Sequence, residues 1–213
     1  MQQLSGGKIT RLTDSEECDY NIVTDADHLY PTMMNQQWQT VLFKKAHALK
    51  STATSKKGFI GDLCSKGITD FHWNWEKIVK DPDVNGYEKK TFYFTVNGEP
   101  EGVLHALFPK QSKLNTSDNL VYVDRIAVAP WNRQSANPQH FKGIGSILML
   151  FIEEFSEKQG YDGAVGLHAL EQAKSFYVYL GMQSLGIDQS YEGLEYFEKP
   201  KKPKGVTASE GSV

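Results

Sequence analysis

The chain lacks most of the features that would assign a class at once. Its 213 residues include two cysteines, Cys18 and Cys64, and neither has a metal-ligand spacing around it. No disulfide framework or metal site can be read from them, and free thiols in a reducing cytoplasm are the expectation. No apolar run approaches the ~20 residues that span a bilayer, and the opening "MQQLSGGKIT" has no apolar stretch of the signal-peptide kind. A membrane is therefore not an expected partner. Charge of one sign is missing too, with 23 Lys+Arg against 26 Asp+Glu for a net charge of -3. Such a balance gives nucleic acid no broad field to follow. No segment repeats. What is present is ordinary for a globular chain, 39% hydrophobic and 23% charged, and suffices for one domain with a substantial core.

Periodicity divides the chain. Lys8 to Thr13 alternates weakly, as an edge strand would. Met34, Trp38, Val41, Leu42 and Leu49 follow at helical spacing and predict a helix from about Pro31 to Lys50. Ser51 to Gly61 is small and polar and reads as a loop. Ile60 to Lys80 is ambiguous, although "DFHWNWEKIVK" fits a second helix ended by "DPDVNG". From Tyr87 the pattern turns to strands. "KTFYFTV" and "EGVLHALF" flank Asn97-Gly98, a pair that tolerates the positive φ angles of a hairpin turn. Asn119 to Val128 is a third strand, stopped by Pro130. Ile144, Leu148, Phe151, Ile152 and Phe155 form one stripe of a helix that begins after Gly143. A strand from Gly163 to Ala169, a helix from Glu171 to Leu180, and closing strands "MQSLGI" and "LEYFEK" about the turn "DQSYEG" complete the order. That order implies an α/β sheet with helices on its faces. Residues 1–199 read as one domain, 1–86 a helical N-terminal portion and 87–199 its core; 200–213 has no apolar pattern and reads as a disordered tail.

The stretch "HFKGIGSILM" carries the first functional signal. Glycine lets backbone approach a ligand closely, and a helix N-terminus offers unpaired N–H groups to an anion, with Lys142 adding charge. A tight turn alone would use the same glycines. A phosphate-cradling P-loop is excluded, because Lys142 precedes the glycines, and the dinucleotide fingerprint is excluded by Leu148 where its third glycine belongs.

Together, "RIAVAP", "HFKGIGSILM" and "GLHALEQAKSFYVYLGM" resemble the GNAT superfamily of N-acetyltransferases. Its signature, Gln/Arg-x-x-Gly-x-Gly/Ala after a Val-x-Pro-like strand end, stands here as His140-x-x-Gly143-x-Gly145 after Val128-Ala129-Pro130. Its later pattern stands as Ala173, Phe176-Tyr177 and Gly181-Met182. The resemblance covers Tyr87 to about Phe197. It departs from the family at His140 (Gln139 fits a signature shifted by one), in the lengthened "WNRQSANPQ", and at Leu170, where an asparagine is usual.

The resemblance implies a mixed, splayed β-sheet flanked by helices, and acetyl transfer from acetyl-CoA to a primary amine, with no metal. It implies that His140, Phe141, Lys142, Gly143, Ile144, Gly145 and Ser146 wrap the pyrophosphate. Ile126, Ala127 and Val128 would carry the pantetheine arm and an oxyanion donor, and Lys174 would contribute to the cofactor site. Tyr177, on spacing alone a core tyrosine, becomes the acid that protonates the departing thiolate. His168 is the first candidate base, Asp124 the second and His105 the third, with ordered water as the alternative. Trp73 and Trp75, in "FHWNW", read either as core or as acceptor-pocket walls. The acceptor amine is unnamed: a small molecule, a peptide or a macromolecule all fit, as does a module that binds acyl-CoA without turnover. A homodimer is a further family expectation.

Overall fold

The computed structural model describes residues 1–25, 27–81 and 86–202. Two antiparallel strands open the chain, β1 (Gln2–Thr10) and β2 (Glu17–Thr24). The alternation at Lys8 to Thr13 catches only the end of β1. β2 gives little signal because only Cys18, Ile22 and Val23 along it are buried. The helical N-terminal portion thus begins after this hairpin, not at residue 1. Arg11 closes the turn by bonding Asp14 at 3.0 Å and Glu16 at 2.6 Å.

The expected first helix is α1 (Leu29–Met34), a π-helical turn (Asn35–Gln39) and α2 (Thr40–Thr52). The widened turn lets neighbours Trp38 and Gln39 both face inward. The loop expected at Ser51 to Gly61 is instead mostly helix: α2 runs into it as far as Thr52 and α3 (Lys56–Ser65) starts within it, its first turn capped by Ser55 Oγ accepting from Gly58 N at 3.0 Å. Few of its residues are buried, so it shows no apolar period. Only the second half of "DFHWNWEKIVK" is helical, α4 (Trp75–Lys80), because Asn74 caps it by accepting from Lys77 N at 3.0 Å. Most of "DPDVNG" and the tail beyond Lys202 lie outside the described residues.

The remaining elements are β3 (Glu88–Val96), β4 (Glu99–Gln111), β5 (Asn119–Val128), α5 (Ile144–Lys158), β6 (Val165–Ala169), α6 (Lys174–Tyr179), β7 (Gln183–Asp188) and β8 (Leu194–Lys199). Asn97 and Gly98 have φ of 52° and 81°, and Val96 pairs with Glu99 across them, as the hairpin signal requires. The helix expected from Glu171 to Leu180 is a 3-10 turn, Glu171–Ala173, followed by α6.

All eight strands form one sheet, ordered β1-β2-β3-β4-β5-β6-β8-β7. Every pair is antiparallel except β5 with β6. α5 covers one face with a core of Phe92, Phe94, Leu104, Leu148, Ile152 and their neighbours. The N-terminal helices cover the other, packing Met34, Trp38 and Trp75 on Tyr93 and Val103. Gly102 sets the depth of α5 on β4: a Cβ there would stand 2.6 Å from Ile144 Cγ2.

The sheet is open at one place. β5 and β6 pair only at Val121–Val123 with Val165–Leu167, although both strands run further. Asp124 explains the parting. On the β4 side His105 pairs with Arg125 and Ala106 with Val123, so Asp124 is an extra, bulged residue. A bulge bends its strand and sharpens the twist, and here it turns the end of β5 away from β6.

Candidate active site

The connection from β5 to α5 is long yet closed at its neck. Ala129 N donates to the Glu101 carbonyl at 3.0 Å, and the Glu101 carboxylate accepts from Trp131 Nε1 at 2.7 Å and Asn132 Nδ2 at 2.6 Å. Glu101 can reach them because it sits in a register shift of β4, and burial pushes its carboxyl up from the usual range. Asn132 Oδ1 then accepts from Phe141 N at 3.0 Å, and His140 N donates to the Trp131 carbonyl at 3.1 Å. Residues 133–140 are therefore an excursion whose two ends touch. The extra length closes on itself before the glycine loop begins. Leu12 N donates to the His140 carbonyl at 2.7 Å, tying the first hairpin to the same point.

Gly143 precedes α5 with φ of 92°, a left-handed value that glycine adopts freely. Ile144, Gly145 and Ser146 head the helix, where no earlier turn supplies acceptors for their N–H groups. This mouth opens into a cleft of about 580 Å³ that also holds Ile126, Ala127 and Val128 of β5, Leu170 after β6, and Ala173, Phe176 and Tyr177 around α6. The cleft is the split in the sheet, continued to the helix mouth. Tyr177 is 5% exposed, and burial alone raises its phenol well above the usual value, so it is protonated at neutral pH. A Cβ on Gly145 would lie 3.3 Å from Phe176 Cζ, so the glycine also lets α6 approach α5.

The N-terminal helices contribute the remaining wall. Cys64, Lys66, Gly67 and Asp70, at and after the end of α3, line the cleft, as does Trp73. Arg133 grips Asp70 with both terminal nitrogens, each at 2.7 Å, and donates to the Gly67 carbonyl at 2.5 Å. Ser135 Oγ donates to the Lys66 carbonyl at 2.8 Å, and Gln172 Nε2 donates to Thr69 Oγ1 at 2.5 Å.

No protein-family model matches the chain, and no curated protein sequence does. Solved structures do match. The PaiA N-acetyltransferase of Thermoplasma acidophilum, solved with coenzyme A, superposes with a TM-score of 0.51 at 15% identity, over 85% of this chain and 98% of that one. An aminoglycoside 6'-acetyltransferase of type Ii superposes with a TM-score of 0.50 at 14% identity, over 86% of this chain and 99% of its own. An acetyltransferase of the GNAT family from Listeria monocytogenes 4b F2365 gives 0.47 at 16% identity, over 91% and 99%. The fold is that of the GNAT acetyltransferases.

The GNAT fold brings together Ile126, Ala127, Val128, Phe141, Gly143, Ile144, Gly145 and Tyr177, all lining one cleft. It does not bring the others there. Phe141 does line the cleft but spends its N–H on Asn132, so it cannot also give it to a pyrophosphate. His140 lies by Trp131, with ring centroids 6.3 Å apart, and Lys142 is exposed; these two and Ser146 fall outside the cleft lining. Lys174 is held by Glu171 at 2.6 Å and Glu195 at 2.9 Å, both anions, and is also outside.

The three side-chain bases are placed elsewhere. His168 is the neighbour of inward-facing Leu167 on β6 and so points to the opposite face. There its Nδ1 meets the Tyr122 hydroxyl at 2.7 Å, its Nε2 meets Asp188 at 3.1 Å, and Tyr191 stacks on it at 3.9 Å. Asp124 is at the bulge and pairs with Arg125 at 3.1 Å. His105 is buried against Thr91 Oγ1 at 2.7 Å, and burial pulls its pKa down to about 4. Of the aromatic run, Trp75 is core and Trp73 faces the cleft. Sequence reasoning did not single out Arg133 or Asp70. Arg133 lies in a segment legible only as an insertion, and Asp70 is separated from it by 63 positions.

Proposed function

We propose that the chain is an acyl-CoA-dependent N-acyltransferase that moves an acetyl group from acetyl-CoA to an amine. The observation that carries this reading is the split between β5 and β6, with the α5 mouth at one end and Tyr177 on its wall. Acetyl-CoA needs that layout: donors for a diphosphate, exposed strand edge for the pantetheine amides, and an acid near the sulfur. The residues fit the cosubstrate, since Ile144 and Gly145 head a helix at the cleft, and β5 beyond Val123 is unpaired on its β6 side among the described residues.

In this reading the amine lone pair attacks the thioester carbon, and a strand N–H from the Ile126 to Val128 stretch holds the developing oxyanion. The C–S bond then breaks, and the Tyr177 hydroxyl gives its proton to the departing sulfur. The proton lost by the amine returns through solvent to restore the phenol. No side-chain base is assigned. Asp70 is the carboxylate in the cleft lining, and Arg133 engages both its oxygens. Water therefore takes the ammonium proton.

Acetyl-CoA binding tests the reading directly. A ligand that binds only the folded chain raises its melting temperature by mass action, so millimolar acetyl-CoA gives a clear upward shift and a binding heat on titration. Neither a shift nor heat at that concentration would remove the basis of the assignment.

A further inference from the structure

We propose that Arg133 is a positioning residue for acyl transfer, acting through the segment Lys66–Asp70; this rests on the acyltransferase reading above. The segment is a strap fastened to both lips of the split. On the β5 side Arg133 binds Asp70 and the Gly67 carbonyl, and Ser135 binds the Lys66 carbonyl. On the β6 side Gln172, in the turn that follows β6, binds Thr69. Lys66, Gly67 and Asp70 line the same cleft as Ile126 to Val128, so an acyl arm lying along β5 sits beneath the strap.

The anchoring chemistry is specific to arginine. Its planar fork meets both Asp70 oxygens, and a further bond reaches the Gly67 carbonyl. The two side chains are 11% and 8% exposed, so water competes little for the pair. Arg133 Nε also stands 3.4 Å from the Val128 carbonyl, which ties the anchor to the very strand the thioester would follow. The strap thereby fixes the width of the passage and the position of an acyl arm within it. A lysine keeps the charge but not the fork.

The test is stopped-flow release of acetyl-CoA from the wild-type chain and from Arg133→Lys, Arg133→Gln and Gln172→Ala, with ligand-free melting measured beside it. Changes within one binding site act chiefly on release, so Arg133→Lys and Gln172→Ala each speed release by about tenfold while remaining folded. A merely structural Arg133 would lower the melting temperature and leave the release rate of the folded molecules alone. Gln172 is exposed, so its variant decides the matter even if Arg133→Gln does not fold. Release within about twofold of wild type in both folded variants overturns this proposal and spares the acyltransferase reading. A wild-type chain that binds no acetyl-CoA overturns both.

Discussion

At the scale of single residues, the chemistry turns on what Tyr177 can do that a phenylalanine cannot. Its ring packs beside Phe176 and Phe197, at centroid distances of 5.3 Å and 5.9 Å, so removing the hydroxyl leaves the packing intact. A ground-state thioester has no thiolate to protonate, and only the transition state should register the loss. Tyr177→Phe is therefore expected to lower kcat by about a hundredfold or more, with acetyl-CoA affinity unchanged by calorimetry. A kcat near the wild-type value would mean the sulfur leaves without this proton. Tyr177 was legible in the sequence because it stands beside Phe176 in a short motif, on the same helix turn. Arg133 and Asp70 were not, because a partner 63 positions away leaves no local spacing to read.

At the scale of elements, Asn132 is the clasp of the β5–α5 connection. Its amide donates to Glu101 and accepts from the Phe141 N–H, and it is 5% exposed. Asn132→Ala leaves a buried carboxylate short of a donor and a buried N–H unpaired, at a cost of about 1–3 kcal/mol for each such group. Denaturant unfolding should show that loss, and titration should show weaker acetyl-CoA binding, because the glycine loop is no longer held at its neck. Unchanged affinity in the folded variant would mean the loop keeps its place without the clasp. The central strands, the Asn-Gly hairpin and the striped helix α5 were readable: β3 and β4 as apolar runs buried on both faces, the turn from its residue pair, and α5 from its helical period. β2 and α3 were not, because each buries too few side chains to impose one. The bulge at Asp124 was invisible for another reason: an unpaired residue is defined by its partner strand, not by its own neighbours.

At the scale of the whole molecule, two buried histidines link stability to pH. Burial pulls His105 down to about 4, against the fields of Asp124 and Asp81 and with Lys89 and Arg125 assisting, and it lowers His168 despite its bond to Asp188, with Lys113 and Lys110 assisting. Both are held neutral in the fold and titrate near 6.5 when unfolded. The unfolded chain then binds more protons at these two sites below that value, so the stability they contribute is complete above about 6.5 and declines as pH falls toward 4. The melting temperature should drop between pH 7.5 and 5, and His105→Gln should flatten the slope. Asp188 does not contribute in this window, since Lys113, Ser190 and His168 hold its carboxyl far below the usual range. A melting temperature independent of pH across the interval would show that neither histidine is buried neutral.

The strand order has a consequence for how the molecule comes apart. β1 to β5 follow one another in sequence and in space, each closing on the one before, and β6, β8 and β7 form a second antiparallel group, with β8 between the other two. Within the sheet, only three rungs among the described residues, Val121–Val123 against Val165–Leu167, stitch the two groups together. The sheet is thus two locally knitted panels joined at a short seam, and the cleft is the unsewn part of that seam. A molecule bonding to both lips supplies the missing stitches, so amide exchange along β6 should slow on occupancy more than exchange in the β1–β2 ladder, which β3 and β4 separate from the seam.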